Sequence, residues 1–209
     1  MPASDDDRRA PTPSAIDART VDAWTDAVAA GDVRAIRAVF AAVEATGPEV
    51  IWRPEPRHLV HRPLRFLREH WLELAADREM PLAHEIDAVN LRPALGFIIL
   101  VDVVEGGRDF RYRLFGSALA AASGFDMTGR LLSDHRASPH IPAFYLAAYR
   151  AVLRRREPLF TEHGPSHVVR TKAWHRLVLP LADESGAISR LLVGNIPLSR
   201  SGTPLIGRY

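Results

Sequence analysis

The 209-residue chain reads as an α+β protein: a five-stranded antiparallel sheet with helices on one face, preceded by N-terminal helices. Three observations carry this reading. Two opening and three closing strand patterns are each joined by hairpin turns, and the stretch between them has helical periodicity. Residues 97–104, FIILVDVV, are apolar at every position except Asp102, the pattern of a strand covered on both faces. Residues 188–196, ISRLLVGNI, form a second apolar strand, expected beside the first in the centre of the sheet.

In chain order, residues 1–15 are polar and carry three consecutive aspartates, too few apolar groups to offset ordering entropy, so disorder is expected. Residues 16–63 read as a helical extension with a proline-rich connector. Val21, Trp24 and Val28 recur at helical spacing, then Val33, Ile36, Val39, Phe40 and Val43. Gly31 supplies a stop and Asp32 a cap between the two helices. Pro48, Pro54, Pro56 and Pro63 make residues 49–63 an extended connector. Leu64, Leu67, Trp71 and Ala75 then stripe one face of a helix ending near Asp77, and residues 85–96 form a turn-rich approach to the first strand.

Residues 110–114 alternate, with Phe110, Tyr112 and Leu114 on one face and Arg111 and Arg113 on the other. A turn at Gly116, an alanine-rich helical stretch and a stop at Gly124 follow. A second short segment closes on Gly129-Arg130. Residues 141–156 form a helix with Phe144, Ala148, Ala151 and Val152 inward and three arginines in its last turn, where cations complement the helix dipole. Strands are expected from Leu159, interrupted near His163-Gly164, then within residues 168–181 and over 188–196. Residues 199–209 form an irregular tail.

Composition narrows the function. Nearly half the residues are apolar and a quarter charged, which is ordinary for a globular protein. Net charge is +2 and acidic residues are interspersed with the arginines, so no basic block marks a nucleic-acid or membrane surface. The absence of cysteine excludes disulfides and thiolate chemistry. No apolar run reaches the ~20 residues of a membrane span, and the acidic N-terminus is unlike a signal peptide, so a soluble cytoplasmic protein is expected. The second N-terminal helix offers only Arg34 and Arg37 for base edges, which argues against a DNA-reading helix pair.

The order of elements and several short motifs resemble the PAS domain over residues 64–198. Gly124-Phe125, Gly129-Arg130 and Leu131 sit where many PAS domains carry such residues after their second strand. Pro180-Leu181, the hairpin at Asp183–Gly186 and the strand Leu191–Gly194 match the closing half. The likeness is closer to a bacterial, mostly alphaproteobacterial, stand-alone subfamily. Its motifs read here as Leu91-Arg92-Pro93, Tyr112-Arg113-Leu114-Phe115-Gly116-Ser117, Asp126-Met127-Thr128-Gly129-Arg130, and Trp174, Arg176, Leu177, Pro180 and Leu181. One departure lies at residues 169–172, which lack the Asp-Gly turn many members place there. The resemblance implies a non-catalytic sensor or regulatory protein that binds a small ligand or a protein partner and signals by contact, because no output segment follows the domain.

Residues expected to line a ligand space between sheet and helices are Tyr112, Leu114, Phe125, Phe144, Tyr145, Tyr149, Leu177 and Leu179, with His175 and the tyrosine hydroxyls as polar groups and Arg130 beside Asp126 as a loop-fixing or ligand-holding pair. Ser117 lacks the glycine pattern of a nucleophile elbow and is expected as a turn hydroxyl. The pairs His58/His61 and His163/His167 have spacings that metals use but lack a third ligand, so no metal is assigned. His135, His140 and His175 are the candidates should the domain carry a haem; the cofactor is unknown. Two further readings stay open: a scaffold acting through the N-terminal helices, and an enzyme using the same cavity. The enzyme is less favoured because the chain shows no paired carboxylates, triad or phosphate-binding glycine loop. A homodimer through the N-terminal helices is expected, with no nucleic acid and no membrane.

Overall fold

A computed structural model describes residues 16–164, 171–199 and 201–205. The expected α+β architecture is present, with one antiparallel sheet and helices ahead of it. The strands are β1 (Glu49–Trp52), β2 (Ile98–Val104), β3 (Asp109–Phe115), β4 (Leu159–His163), β5 (Thr171–Ala182) and β6 (Ile188–Ser199), in spatial order β1-β4-β5-β6-β2-β3. The sheet thus has six strands rather than five. The sixth, β1, comes from the segment read as a connector: Val50, Ile51 and Trp52 pair with Thr161, Phe160 and Leu159 at the sheet edge. β2 and β6 are neighbours, as their apolar character required.

The helices are α1 (Ala18–Ala30), α2 (Arg34–Ala42), α3 (Arg62–Ala75), α4 (Ser117–Ser123) and α5 (His140–Arg155). They cover both faces of the sheet rather than the one face expected, because the apolar stripe of α3 packs on the side opposite α5. On one face α1, α2, α4 and α5 share a core with Ile99, Val101, Phe110, Tyr112, Val178 and Val193. On the other, α3 packs Leu64, Leu67 and Trp71 against Leu177, Leu179, Leu192 and Ile196. Gly194 makes this approach possible, since a Cβ there would lie 2.6 Å from both Leu64 and Leu67 methyls. The Trp71 indole N–H donates to the Pro180 carbonyl at 2.8 Å, which satisfies its one polar atom.

The N-terminal helices belong to the same core. Asp17 caps α1 by accepting from the Thr20 N–H at 2.7 Å, and the helix ends at Gly31. Val33 occupies the cap position of α2, while the Asp32 carboxylate accepts from the Arg34 N–H. Val21, Trp24 and Val28 are buried against α5. The Trp52 indole donates to the Val28 carbonyl, and the Arg155 guanidinium stacks over the Trp52 ring at 4.5 Å. Arg150 pairs with Asp22 and Arg154 with Asp26 along the same seam.

Asp102, the single charge in the apolar β2, lies between Arg113 and Arg190 on the adjacent strands, at 3.1 and 2.7 Å. β3 departs from simple alternation. Its register shifts between the pairs Val101–Tyr112 and Leu100–Leu114, leaving Arg113 as the extra residue of a bulge. Leu114 therefore turns to the α3 side while Phe110, Tyr112 and Phe115 stay on the α5 side. β6 also runs farther than expected, through Pro197 to Ser199.

Candidate functional site

The edge strand β3 is closed by the segment that follows α4. The Tyr112 N–H donates to the Arg130 carbonyl at 2.9 Å, and the Gly129 N–H donates to the Tyr112 carbonyl at 2.7 Å. α4 can start beside the strand because Gly116 has no side chain: a Cβ there would sit 2.4 Å from the Gly96 carbonyl oxygen. α4 ends at Gly124, whose φ of 80° is left-handed. This route brings Phe115, Ser123 and Phe125 over the inner face of the sheet, where the start of α5 meets them.

Between these elements lies a cavity of about 310 Å³. Its wall is largely aromatic: Tyr112 and Phe115 from β3, Phe125 from the loop, Tyr145 from α5 and Trp174 from β5. Its polar groups are Arg176, Asn195, His163, His140, His135, Arg136 and the small Ser123 and Ser138. The volume is at the lower end of the roughly 300–1,000 Å³ typical of ligand pockets.

Arg176 dominates the electrostatics. It is 3% exposed and stands mid-strand between His175 and Leu177. Its Nη1 donates to the Tyr149 hydroxyl at 2.8 Å, and its carbon Cζ lies 3.5 Å from the centre of the Tyr145 ring. Its Nε has no hydrogen-bond partner, and among the described residues no carboxylate pairs with it. Burial alone would depress its pKa, but Tyr145, Tyr149 and Tyr112 outweigh that and the guanidinium stays ionised. Directly across the ladders stand Thr161 on β4 and Asn195 on β6, on the same face. Thr161 Oγ1 and Asn195 Oδ1 are likewise buried and unpartnered.

The cavity histidines His135, His140 and His163 are held in the neutral form. Burial, then the charge of Arg176, holds His135 down to about 4. Burial is also the largest cause for His163, which lies well below the usual imidazole value. His140 is lowered by burial. Burial raises the Tyr112, Tyr145 and Tyr149 phenols, so all three stay protonated. His163 Nε2 and the Tyr145 hydroxyl share a hydrogen bond of 3.0 Å, leaving Nδ1 without a partner. His135 Nδ1 accepts from the Ala137 N–H, so its proton resides on Nε2. An imidazole held this way offers no free lone pair to a haem iron.

Of the residues expected from sequence, Tyr112, Phe125 and Tyr145 reach the cavity wall. Tyr149 lies one layer behind, orienting Arg176, and Phe144 packs in the core against His163. Leu114, Leu177, Leu179 and His175 lie on the α3 face instead. His175 pairs there with Glu162 at 3.1 Å. Arg130 is exposed, and Asp126 accepts from the Thr128 N–H and hydroxyl rather than from Arg130. His58 Nδ1 accepts from the Glu55 N–H, whereas His167 lies outside the described residues. Among the described residues no three His, Asp or Glu are grouped as a metal site requires.

Trp174, Arg176, Asn195 and His163 were not expected at the cavity. The signal was present: a polar residue inside a strand buried on both faces must find its partners within the protein. Arg176 and Asn195 both occupy such positions.

The domain is thus an antiparallel sheet with a partly polar, aromatic-walled cavity beneath its helices. The chain belongs to the PAS domain family, which matches residues 59–196, more than half its length. No curated protein and no solved structure matches it. The family is one of sensory and regulatory domains, and no helix among the described residues is long and apolar enough to cross a membrane.

Proposed function

We propose that this protein is a non-catalytic, cytoplasmic sensor whose cavity takes a small molecule and whose output passes by contact to a protein partner. The observation that carries the reading is the cavity itself, with an ionised, nearly inaccessible arginine at its wall that nothing in the described chain neutralises. A filled core would place apolar groups there. The absence of catalysis is supported by the cavity's chemistry: among the described residues no carboxylate lines it, and the Ser123 hydroxyl is engaged by the backbone carbonyls of Leu119 and Phe125. The motif likeness described from the sequence supports assignment to the bacterial stand-alone group.

α5 supports a route for the output. Its first turns and Tyr145 border the cavity, while Arg150, Arg154 and Arg155 grip α1 through Asp22, Asp26 and the Ala29 carbonyl. A ligand that shifts α5 shifts α1 with it. The outer face of α2 is a row of exposed alanines, Ala35, Ala38, Ala41 and Ala42, which suits close approach of a second helix and supports a homodimer through the N-terminal helices. Light scattering across a concentration series tests the dimer, and a constant monomer mass refutes it. Native mass spectrometry of freshly purified protein tests the sensor reading. Retained small-molecule mass is expected; a bare chain that also gains no thermal stability from any member of a metabolite library refutes it.

A further inference from the structure

We infer that the cavity recognises a small monocarboxylate with a flat or chain-like apolar body, bound through the guanidinium of Arg176. This deepens the reading of the cavity as a ligand site and rests on it.

Four observations converge. First, Arg176 is held in place: its Cζ lies over the Tyr145 ring and its Nη1 is engaged by the Tyr149 hydroxyl. Its Nε is buried without a partner, so the guanidinium carries unspent N–H donors, the groups that hold a carboxylate. Second, the lining contains two arginines, Arg176 within and the exposed Arg136, and no Asp or Glu among the described residues. A buried charge without a counter-ion is strongly unfavourable, so the ion that fits is an anion. Third, the N-terminal turn of the 16-residue α5 borders the cavity with neither an acidic residue nor a side-chain cap, so the helix dipole adds to the positive potential. Fourth, the remaining wall is the aromatic set Tyr112, Phe115, Phe125 and Trp174, which suits an apolar body, and the small volume limits its size. The neutral histidines supply donors without adding charge. A multiply charged phosphate would demand more donors than this single fork provides.

The test is calorimetric titration of the full chain with benzoate, phenylacetate and hexanoate, each against its matched amide, and with inorganic phosphate. At least one acid is expected to bind, with its amide at least about 30-fold weaker, the scale of unpairing a buried charge. Arg176→Met is expected to abolish the preference for acid over amide. Arg176→Lys, which keeps the charge but loses the fork, is expected to fall between. Ligand-free Arg176→Met should melt within about 5 °C of the natural protein, because it removes an unpaired buried charge. A larger fall marks Arg176 as a structural support and overturns the inference. Equal binding of acid and amide, or tighter binding of phosphate, overturns the carboxylate assignment while leaving the cavity a ligand site. Binding of no probe by a protein that also carries no retained small molecule overturns both.

Discussion

Trp24→Ala tests whether the helices ahead of the matched family region are part of the fold. Trp24 is 4% exposed and sits in the core that α1 shares with α5, Phe40 and Phe144. Truncating a buried tryptophan costs about 3–5 kcal/mol. In a chain of this length each kcal/mol lowers the melting temperature by about 2–4 °C, so a fall of roughly 6–20 °C is expected by circular dichroism. Asp26→Ala is the control: it removes the ion pair to Arg154 on the same seam, but the Asp26 side chain is 72% exposed. Such surface pairs contribute at most about 1 kcal/mol. If Trp24→Ala melts no lower than Asp26→Ala, α1 does not pack on α5, and coupling from the cavity to the N-terminal helices is refuted with it.

Two further outcomes follow from the titrating groups. Burial opposes the charge on Asp102, but hydrogen bonds from Arg113 and Arg190 outweigh it and lower its pKa. Its stabilisation is therefore present above the ordinary aspartate value of about 3.9 and is lost as pH falls through the depressed folded value. Asp102→Asn should cost about 1–3 kcal/mol in urea denaturation at pH 7, with the difference closing in strong acid. The cavity histidines act in another window. Folded His135, His140 and His163 resist protonation, facing Arg176 and Arg136 with no carboxylate among them, while unfolded histidine titrates near ~6.5. Between about pH 6.5 and 4 the unfolded chain binds more protons, so stability falls as pH falls. His135→Asn should flatten that slope; an unchanged slope refutes the assignment to His135.

Much of the fold was legible in the sequence because its signals are local. The hairpin turns at Glu105–Gly107 and Asp183–Gly186, the stripe Leu64–Leu67–Trp71, and the paired apolar strands β2 and β6 are found where their patterns pointed. β1 was hidden because prolines flank four residues whose only partner, β4, is more than a hundred positions away. The site was less legible, and for one physical reason. In a strand with one wet face, an alternating arginine points to water, which is consistent with placing Leu177 and Leu179 at the ligand space. Here α3 covers the face of Leu177 and Leu179, both parities are buried, and the assignment inverts. The bulge at Arg113 does the same to Leu114, since one extra residue exchanges the faces of everything beyond it. His163 is distant in sequence from His135 and His140, and it meets them at the cavity only through the path of α5 and β4.

The central claim is that Arg176 holds an anion, and its Nε–H reports this directly. The Arg176 Nε resonance, identified by its loss in Arg176→Lys, should move by proton–nitrogen NMR as phenylacetate, benzoate or hexanoate is added and stay in place with the matched amide. An Nε resonance unmoved by saturating amounts of all three acids would contradict the claim.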